Sequence, residues 1–227
     1  MSLARWKDLC LDADDQAALG AFWARVIGLE VVTSPGKVSL DGALPSQRVW
    51  MNAVDRPKQV KNRLHLDVYA ASVDELVDLG ATVLAPAKAT GLGWTVMADP
   101  EGGEFCAFVR DVPPDLRLYE LAVDAVDPRA IASWWSDVFA ARLGGDEQRG
   151  YWWVDEIDGA PFDAMTFAPV PEPKSAKNRV HWDVSVADLA PLSEAGATLL
   201  RPPGAAAGWH VMADPEGNEF CAFVSDD

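Results

Sequence analysis

The sequence predicts an α+β protein built from four βαβββ modules in two domains. The first observation behind this prediction is an internal repeat, because residues 93–109 (GWTVMADPEGGEFCAFV) return as residues 208–224 (GWHVMADPEGNEFCAFV) with two differences. The segment KNRLHLDV (61–68) likewise returns as KNRVHWDV (177–184). The second observation is that each repeat splits into two halves with the same order of strand and helix patterns. A repeat of this length indicates duplicated domains rather than a solenoid of short units.

A third, weaker repeat relates residues 8–31 to residues 120–143. The three repeated blocks keep their order along the chain, with small changes in loop length between them. We therefore expect one domain at residues 1–111 and a second at residues 114–227, joined near Pro113.

The first half of the first domain begins with an alternating apolar pattern that predicts a strand at residues 6–12. Asp14 or Asp15 then provides an N-cap for a helix that runs to about Ile27. The apolar face of this helix is predicted to comprise Ala18, Phe22, Val26 and Ile27. Two or three short strands follow, around residues 30–33, 37–40 and 47–54.

The second half of the domain repeats this order. A strand is predicted at residues 63–69, followed by a helix with Val73, Leu76 and Val77 facing inward, which ends at Gly80. Strands at residues 82–85, 94–98 and 104–109 complete the half. The segment Asp-Pro-Glu-Gly at 99–102 suits a tight turn between the last two strands, and the second domain repeats it at 214–217.

Composition limits the classes of partner. The formal net charge of −16 repels phosphate, so neither nucleic acid nor an anionic membrane is expected as a partner. No apolar run approaches the roughly 18 residues that span a bilayer, and the N-terminal residues lack a signal-peptide core. Three cysteines cannot form a disulfide framework, so we expect a cytoplasmic protein.

The segments NRLHLDV (62–68) and ADPEGGEF (98–105), with their second copies, resemble the vicinal oxygen chelate superfamily. That superfamily includes glyoxalase I, bleomycin-resistance proteins and extradiol dioxygenases, and the resemblance covers nearly the whole chain. It implies two glyoxalase-like domains in which paired modules form a cup-shaped half-barrel around a small organic ligand. In metal-dependent members, each module can supply one metal ligand from its first strand and one from its last.

On this resemblance, the metal ligands expected in the first domain are His65, from a first strand, and Glu104, from a last strand. His181 and Glu219 are their counterparts in the second domain. An imidazole and a carboxylate suit Zn²⁺, Fe²⁺, Ni²⁺ or Mn²⁺ and leave positions open for substrate oxygens. Without a metal, the same pair could act as a base or as a donor that anchors the ligand.

The other half of each predicted metal site is incomplete. Aligning the first strands of the two halves places Cys10 at the position of His65, and Ala122 occupies the same position in the second domain. The last strands of the first halves offer Asn52 and Ala168. Asp8 and Glu120, two residues earlier on the same strand face, are alternative ligands. Only two strong ligands per domain are therefore visible, whereas catalytic zinc sites typically use three.

Other side chains have two interpretations each. Arg63 and Arg179, at strand starts, suit either an anion-binding role or a salt bridge at the rim. Cys106 and Cys221 are expected to be small core residues rather than nucleophiles. Four tryptophans are expected to line either the core or the substrate pocket, namely Trp50, Trp94, Trp182 and Trp209.

The sequence thus predicts a glyoxalase-like protein, monomeric or homodimeric, that binds a small organic molecule. One hypothesis is an enzyme of the lyase, isomerase or dioxygenase type, in which His65 and Glu104 hold a divalent metal that polarises substrate oxygens. The second is a metal-free protein that sequesters its ligand, as resistance proteins of the superfamily do. In a third, the second domain is structural and supplies a contact that single-domain relatives obtain by dimerising.

Overall fold

The computed structural model of this chain describes residues 2–204 and 208–225. The elements of the first copy are β1 (Arg5–Ala13), α1 (Gln16–Ile27), β2 (Glu30–Ser34), β3 (Lys37–Asp41), β4 (Val49–Ala53), β5 (Leu64–Ala70), α2 (Val73–Asp78), β6 (Thr82–Ala85), α3 (Ala87–Thr90), β7 (Thr95–Ala98) and β8 (Glu104–Val109). Those of the second copy are β9 (Leu118–Ala125), α4 (Pro128–Phe139), β10 (Arg142–Asp146), β11 (Tyr151–Asp155), β12 (Ala164–Pro169), β13 (Val180–Val186), α5 (Ala190–Glu194), β14 (Thr198–Arg201), β15 (His210–Ala213) and β16 (Glu219–Val224). The predicted α+β class with four βαβββ modules is confirmed.

Each of the two eight-stranded sheets combines one module from each copy. The first sheet has the order β14-β15-β16-β13-β1-β4-β3-β2, and the second has the order β10-β11-β12-β9-β5-β8-β7-β6. The module β1–β4 therefore pairs with β13–β16, and β5–β8 pairs with β9–β12. The modules of one copy lie in different sheets, so neither sheet can form from one copy alone.

The seam between copies lies at the centre of each sheet. Strand β1 pairs antiparallel with β13, and β5 pairs antiparallel with β9. Inside each module the first strand pairs parallel with the last strand, as in the pairs β1–β4 and β5–β8. Residues far apart in sequence thus meet on one face of each sheet.

The helices cover the apolar face of the sheets. Helix α1 packs against β1, β3 and β4, and α4 packs against β9, β11 and β12. Asp15 caps α1 by accepting the backbone amides of Ala17 and Ala18. The buried face of α1 comprises Leu19, Gly20, Phe22, Trp23, Ala24, Val26 and Ile27.

Three details differ from the predicted elements. Ala18 is exposed because the buried stripe of α1 begins at Leu19, so Ala18 is not part of the apolar face. Val77 is also exposed, at 43%, because the short helix α2 buries only Leu76 completely. The expected loop after β6 contains the one-turn helix α3, and residues 45–47 form a 3₁₀ turn before β4.

The repeated Asp-Pro-Glu-Gly turn joins the two modules of its own copy. Asp99 accepts the backbone amides of Glu101 and Gly103 and the indole N–H of Trp23 on α1. The Glu101 carboxylate accepts the backbone amides of Asp14 and Asp15 at the start of α1. The repeated motif therefore has a structural role, since its two acidic side chains hold the second module of a copy against the first. None of the helices described in residues 2–204 and 208–225 has the length and apolarity needed to cross a bilayer.

Candidate functional site

Each sheet has a polar face opposite its helices, and this face forms the inside of a cup. Cup A is the face of the first sheet centred on Asp8, Cys10, His181 and Asp183. Cup B is the face of the second sheet centred on His65, Asp67, Glu120 and Ala122. Both cups therefore contain residues of both copies.

The structure corrects the predicted alignment of the first strands. Ala13 ends β1 two residues before the N-cap of α1, and Ala70 ends β5 two residues before Ser72, the N-cap of α2. Counting back from these ends makes Asp8 the equivalent of His65, so Cys10 is the equivalent of Asp67. A shift by two residues keeps every side chain on its own face, so the alternating pattern could not distinguish the two registers.

The same correction applies to the last strands. Cys10 lies beside Trp50, and its equivalent Asp67 lies beside Cys106. Trp50 is thus the structural equivalent of Cys106, whereas Asn52 lies beside Asp12 at the end of the sheet. In the second copy Ala168 takes the position of Asn52 beside Asp124.

In cup B the structure brings together a histidine, an aspartate and a cysteine. The His65 Nε2 atom lies 3.4 Å from the Asp67 Oδ1 atom and 3.4 Å from the Cys106 Sγ atom. These three ligand atoms lie within 4.8 Å of one another. Cys106 is buried, as expected of a small core residue, and its thiol faces the cup.

Cup A contains a corresponding cluster formed across the seam between the copies. Cys10 of β1 lies opposite His181 of β13, and its thiol donates to Asp183 Oδ1 at 3.6 Å. The ligand atoms of these three buried residues also lie within 4.8 Å of one another. Cys221 lies beside Asp183 on β16 and faces the same cup.

Burial keeps most of these groups uncharged. Desolvation lowers the pKa of His65 and of His181 to about 4, and the nearby lysine Lys61 or Lys177 adds to the effect. Burial raises the pKa of Asp183 to about 7, and it raises the pKa of Asp67 well above its usual value, with the Glu120 carboxylate adding to that shift. The two histidines are therefore neutral near pH 7, and the two aspartates hold their protons to higher pH than exposed carboxylates do.

The predicted ligands Glu104 and Glu219 are engaged by lysines. Lys58 Nζ lies 2.7 Å from Glu104 Oε1, and the backbone amide of Asn62 donates to the other oxygen at 3.0 Å. Burial opposes ionisation of Glu104, but these hydrogen bonds outweigh it and lower the pKa of Glu104. Lys174 and the Asn178 amide hold Glu219 in the same way. The glutamates thus anchor the segments that lead into β5 and β13.

The two predicted arginines connect the copies to each other. Arg63 donates to the backbone carbonyls of Glu172 and Asp124. Arg179 donates to the carbonyl of Arg56 and to the carboxylates of Asp14 and Glu101. Both guanidinium groups are thereby used in contacts between the copies.

The four tryptophans have different locations. Trp182 is fully buried on the helix side of β13 and packs edge-on against Trp135, so it belongs to the core. Trp50 lies in cup A and donates to Asp8 at 3.4 Å. Trp94 stacks on Phe108 in cup B, and Trp209 stacks on Phe223 in cup A.

The donor sets of the two clusters fit a divalent metal ion. Around a four-coordinate zinc with N, O and S ligands, neighbouring ligand atoms are about 3.3–3.6 Å apart, because the bonds are about 2.0–2.3 Å long. The two 3.4 Å separations in cup B match this spacing. Within the described residues, the buried Asp67 Oδ1 atom makes no hydrogen bond. The buried Nδ1 atoms of His65 and His181 make none either.

A cavity of about 960 Å³ lies outside the two clusters, between residues 53–63 and 170–179. Its walls carry several lysines and arginines, but most of these are paired. Lys61 pairs with Asp124, and Lys177 pairs with Asp12. The cavity is therefore an opening between the two connecting segments.

Comparisons with known proteins agree with this architecture. A family model described as a glyoxalase-like domain matches residues 8–108 and 120–223. None of the curated proteins compared with this chain matches it significantly in sequence.

Among solved structures, glyoxalase I from Zea mays superposes with a TM-score of 0.67 at 14% identity, covering 97% of this chain and 92% of that one. The cppA protein from Streptococcus pneumoniae TIGR4 superposes with a TM-score of 0.50 at 11% identity, covering 98% and 100%. At these identities the likeness shows the fold alone.

Proposed function

Since the chain belongs to the glyoxalase-like domain family, we propose that each cup binds a small organic molecule beside a divalent metal ion. The metal ligands would be Cys10, His181 and Asp183 in cup A. In cup B they would be His65, Asp67 and Cys106. Oxygen atoms of the bound molecule would complete the coordination.

The observation that carries this proposal is the repeated grouping of a histidine, buried at His181 and half-buried at His65, with a buried aspartate and thiol. A neutral imidazole, as the low pKa of His65 and His181 provides, is the form that binds metal. The aspartate and the thiol would release their protons on binding, so metal uptake should be favoured by rising pH. Three protein ligands with an open position are the usual number in catalytic zinc sites.

The bound ion would supply Lewis acidity towards substrate oxygens, which suits a lyase, isomerase or dioxygenase reaction. The chain's own residues would position the substrate. Half-buried aromatic side chains such as Phe108 and Phe223 would pack against its apolar part and exclude water. Without metal, burial raises the pKa of Asp183 to about 7, so the proton that this ligand carries near neutral pH would be released when the ion binds.

A metal-free binding protein is the second candidate, and one observation favours it. Glu104 and Glu219, the carboxylates that the sequence suggested as ligands, are occupied by Lys58 and Lys174. In this case the neutral histidines and protonated aspartates would serve as hydrogen-bond partners for a sequestered ligand. Both candidates use the same cups.

We also propose that the protein is a cytoplasmic monomer. Both eight-stranded sheets form within one chain, so no second molecule is needed to build a cup. Free, buried thiols at Cys10, Cys106 and Cys221 fit a reducing compartment.

The experiment that tests this function is metal analysis by mass spectrometry on protein purified without chelator or affinity metal. The variants are His65→Ala and His181→Ala, and the matched control is His210→Ala, which alters the third histidine, outside both clusters. We expect up to two ions per chain in the wild type, the loss of one ion in each cup variant, and no loss in the control.

An absence of metal from all samples, even after incubation with Zn²⁺, Fe²⁺, Ni²⁺ or Mn²⁺, would exclude the metal-dependent proposal. Thermal-shift screening of organic ligands would then test the metal-free candidate. If both cup variants retained their metal, the ion would have to be bound by residues outside the two clusters.

A further inference from the structure

The two cups differ in the number of thiols that they contain. Cup A contains Cys10 and Cys221, and the third cysteine of the chain, Cys106, lies in cup B. The residue opposite the cup histidine produces this difference, since it is Cys10 in cup A and Ala122 in cup B. A methyl group has no donor atom, so this one position decides how much sulfur each cup offers to a metal ion.

In cup A both thiols contact the same carboxylate. The Cys10 thiol donates to Asp183 Oδ1 at 3.6 Å, and the Cys221 thiol also hydrogen-bonds to the Asp183 side chain. The ligand atoms of Cys10, His181 and Asp183 lie within 4.8 Å of one another. An ion held by these three residues would therefore lie next to a second thiol, that of Cys221.

In cup B the central aspartate lies beside one thiol and one carboxylate. The Cys106 thiol hydrogen-bonds to Asp67, and Glu120 lies opposite Asp67 on the neighbouring strand. The side chain of Glu120 is hydrogen-bonded to those of Thr166 and Tyr119, which are neutral hydroxyl groups. An ion held by Asp67 would therefore have the Glu120 carboxylate nearby as an additional oxygen donor.

The corresponding carboxylate of cup A is already used. Asp8 lies opposite Asp183, but the Lys7 ammonium pairs with Asp8 and the Trp50 indole donates to it at 3.4 Å. A metal ion that approached Asp8 would be repelled by the positive charge of Lys7. Cup A is thus the richer cup in sulfur, and cup B is the richer cup in available oxygen.

Resting on the proposed function, we propose that the two cups rank metal ions differently. Relative to cup B, cup A favours thiophilic ions such as Cd²⁺ and Zn²⁺, because Cys10 and Cys221 supply two thiolates. Relative to cup A, cup B favours Mn²⁺, because Glu120 and Asp67 supply oxygen. Thiolates select soft or borderline ions, whereas carboxylates suit harder ones. Each thiol that binds an ion releases its proton to the solvent.

Proteins with one complete cup test this inference, since His65→Ala leaves cup A complete and His181→Ala leaves cup B complete. Each reduced, metal-free protein is titrated with Cd²⁺, followed by the ultraviolet absorption of cadmium–thiolate bonds, and with Mn²⁺, followed by the loss of the free-ion EPR signal. We expect the ratio of Cd²⁺ affinity to Mn²⁺ affinity to be at least about tenfold higher for cup A. The absorption per bound Cd²⁺ should be about twice as strong there, because two thiolates bind instead of one.

Two further variants change the number of thiols and keep both histidines. Cys10→Ser should reduce the total cadmium–thiolate absorption by about a third and the Cd²⁺ affinity of cup A by about tenfold. Ala122→Cys should raise both quantities for cup B, because it places a thiol opposite His65. The matched control is Cys106→Ser, which should leave the Cd²⁺ affinity of cup A unchanged. Unchanged circular dichroism verifies that each variant is folded.

Equal affinity ratios and equal absorption per ion in the two single-cup proteins would overturn the inference and leave the proposed function intact. The same conclusion would follow if Cys10→Ser bound Cd²⁺ as the wild type does. If neither ion bound to the wild type at all, the metal-dependent function itself would be excluded, which is a different result from two cups with the same preference.

Discussion

Cys10 of the first copy lies directly opposite His181 of the second copy, on neighbouring antiparallel strands. The two residues are therefore brought together by the pairing of modules across the copies and not by the fold of either copy alone. In the other cup the residue opposite His65 is Ala122, so only cup A has a thiol at this position.

Replacing Cys10 by Ala should weaken metal binding in cup A alone. The thiol is one of three potential ligands there, and cup B already has an alanine opposite its histidine. We expect at least a tenfold loss of Zn²⁺ affinity at one of two sites, measured by competition with a chromophoric chelator. Cys106→Ala is the matched variant for cup B. Equal affinities of Cys10→Ala and wild type at both sites would remove Cys10 from the ligand set.

Residues 1–111 expressed alone should not form a stable folded monomer. In that fragment β1 and β5 would each lose the antiparallel partner with which they pair at the seam. Such unpaired central strands are expected to pair with a second copy of the fragment. Sedimentation should therefore show a dimer or larger species, and mixing with residues 114–227 should restore a one-to-one complex. A folded monomer of either fragment would contradict the dependence of each copy on strand pairing with the other.

Glu101→Ala should destabilise the protein more than Glu216→Ala. Both carboxylates accept two backbone amides at the start of a helix, from Asp14 and Asp15 or from Val126 and Asp127. Glu101 also binds Arg179, a guanidinium with 15% exposure. We expect losses of about 1–2 kcal/mol for Glu216→Ala and about 1 kcal/mol more for Glu101→Ala, from urea unfolding. Equal losses would mean that the Arg179 pair contributes nothing.

Gly28→Ala should be much more harmful than Gly36→Ala. Both glycines have a positive φ, of 78° and 73° respectively. A Cβ atom at Gly28 would lie 2.0 Å from the carbonyl oxygen of Asp115, whereas at Gly36 it would meet nothing within 4 Å. We expect about 1 kcal/mol for Gly36→Ala, from the φ angle alone, and at least about 2 kcal/mol more for Gly28→Ala. Thermal unfolding of the two variants measures the difference, and similar midpoints would refute the close contact.

His181→Gln should make chelator-treated protein less sensitive to acid. The pKa of His181, lowered to about 4 by burial, lies below the value of about 6.5 in an unfolded chain. The histidine therefore contributes stability above pH 6.5 that is lost as the pH falls towards 4. When the pH is lowered from 7 to 4.5, the unfolding free energy of the wild type should therefore fall by about 2–3 kcal/mol more than that of His181→Gln.

The raised pKa of Asp183 acts in the opposite direction, but the wild type and this variant share that residue, so their comparison isolates the histidine. His210→Gln, with the same substitution outside the clusters, is the control. A difference between wild type and His181→Gln that stays constant from pH 7 to pH 4.5 would show that the imidazole is not held neutral by burial.

The spacing of apolar residues predicted most strands and helices, because each type of element has its own spacing within a few neighbouring residues. The strand ends and the N-cap at Asp15 agree with the predicted first half to within a few residues. The register between equivalent strands was not predictable, since a shift of two residues preserves the alternation and therefore made Cys10 look equivalent to His65. The observed strand ends and helix N-caps showed instead that Asp8 occupies that position. Side-chain partners such as Lys58 for Glu104 were also not predictable, because the two residues are brought together by a loop of no regular pattern.

The sequence by itself determined the duplication, the four modules and the polar face of each central strand, because repeats and alternation are properties of neighbouring residues. Only the tertiary structure decided which modules share a sheet, and hence which residues share a cup. That choice depends on hydrogen bonding between β1 and β13 and between β5 and β9, which are separated by many residues along the chain. The clusters around His65 and His181 are consequences of this pairing and could be located only once it was known.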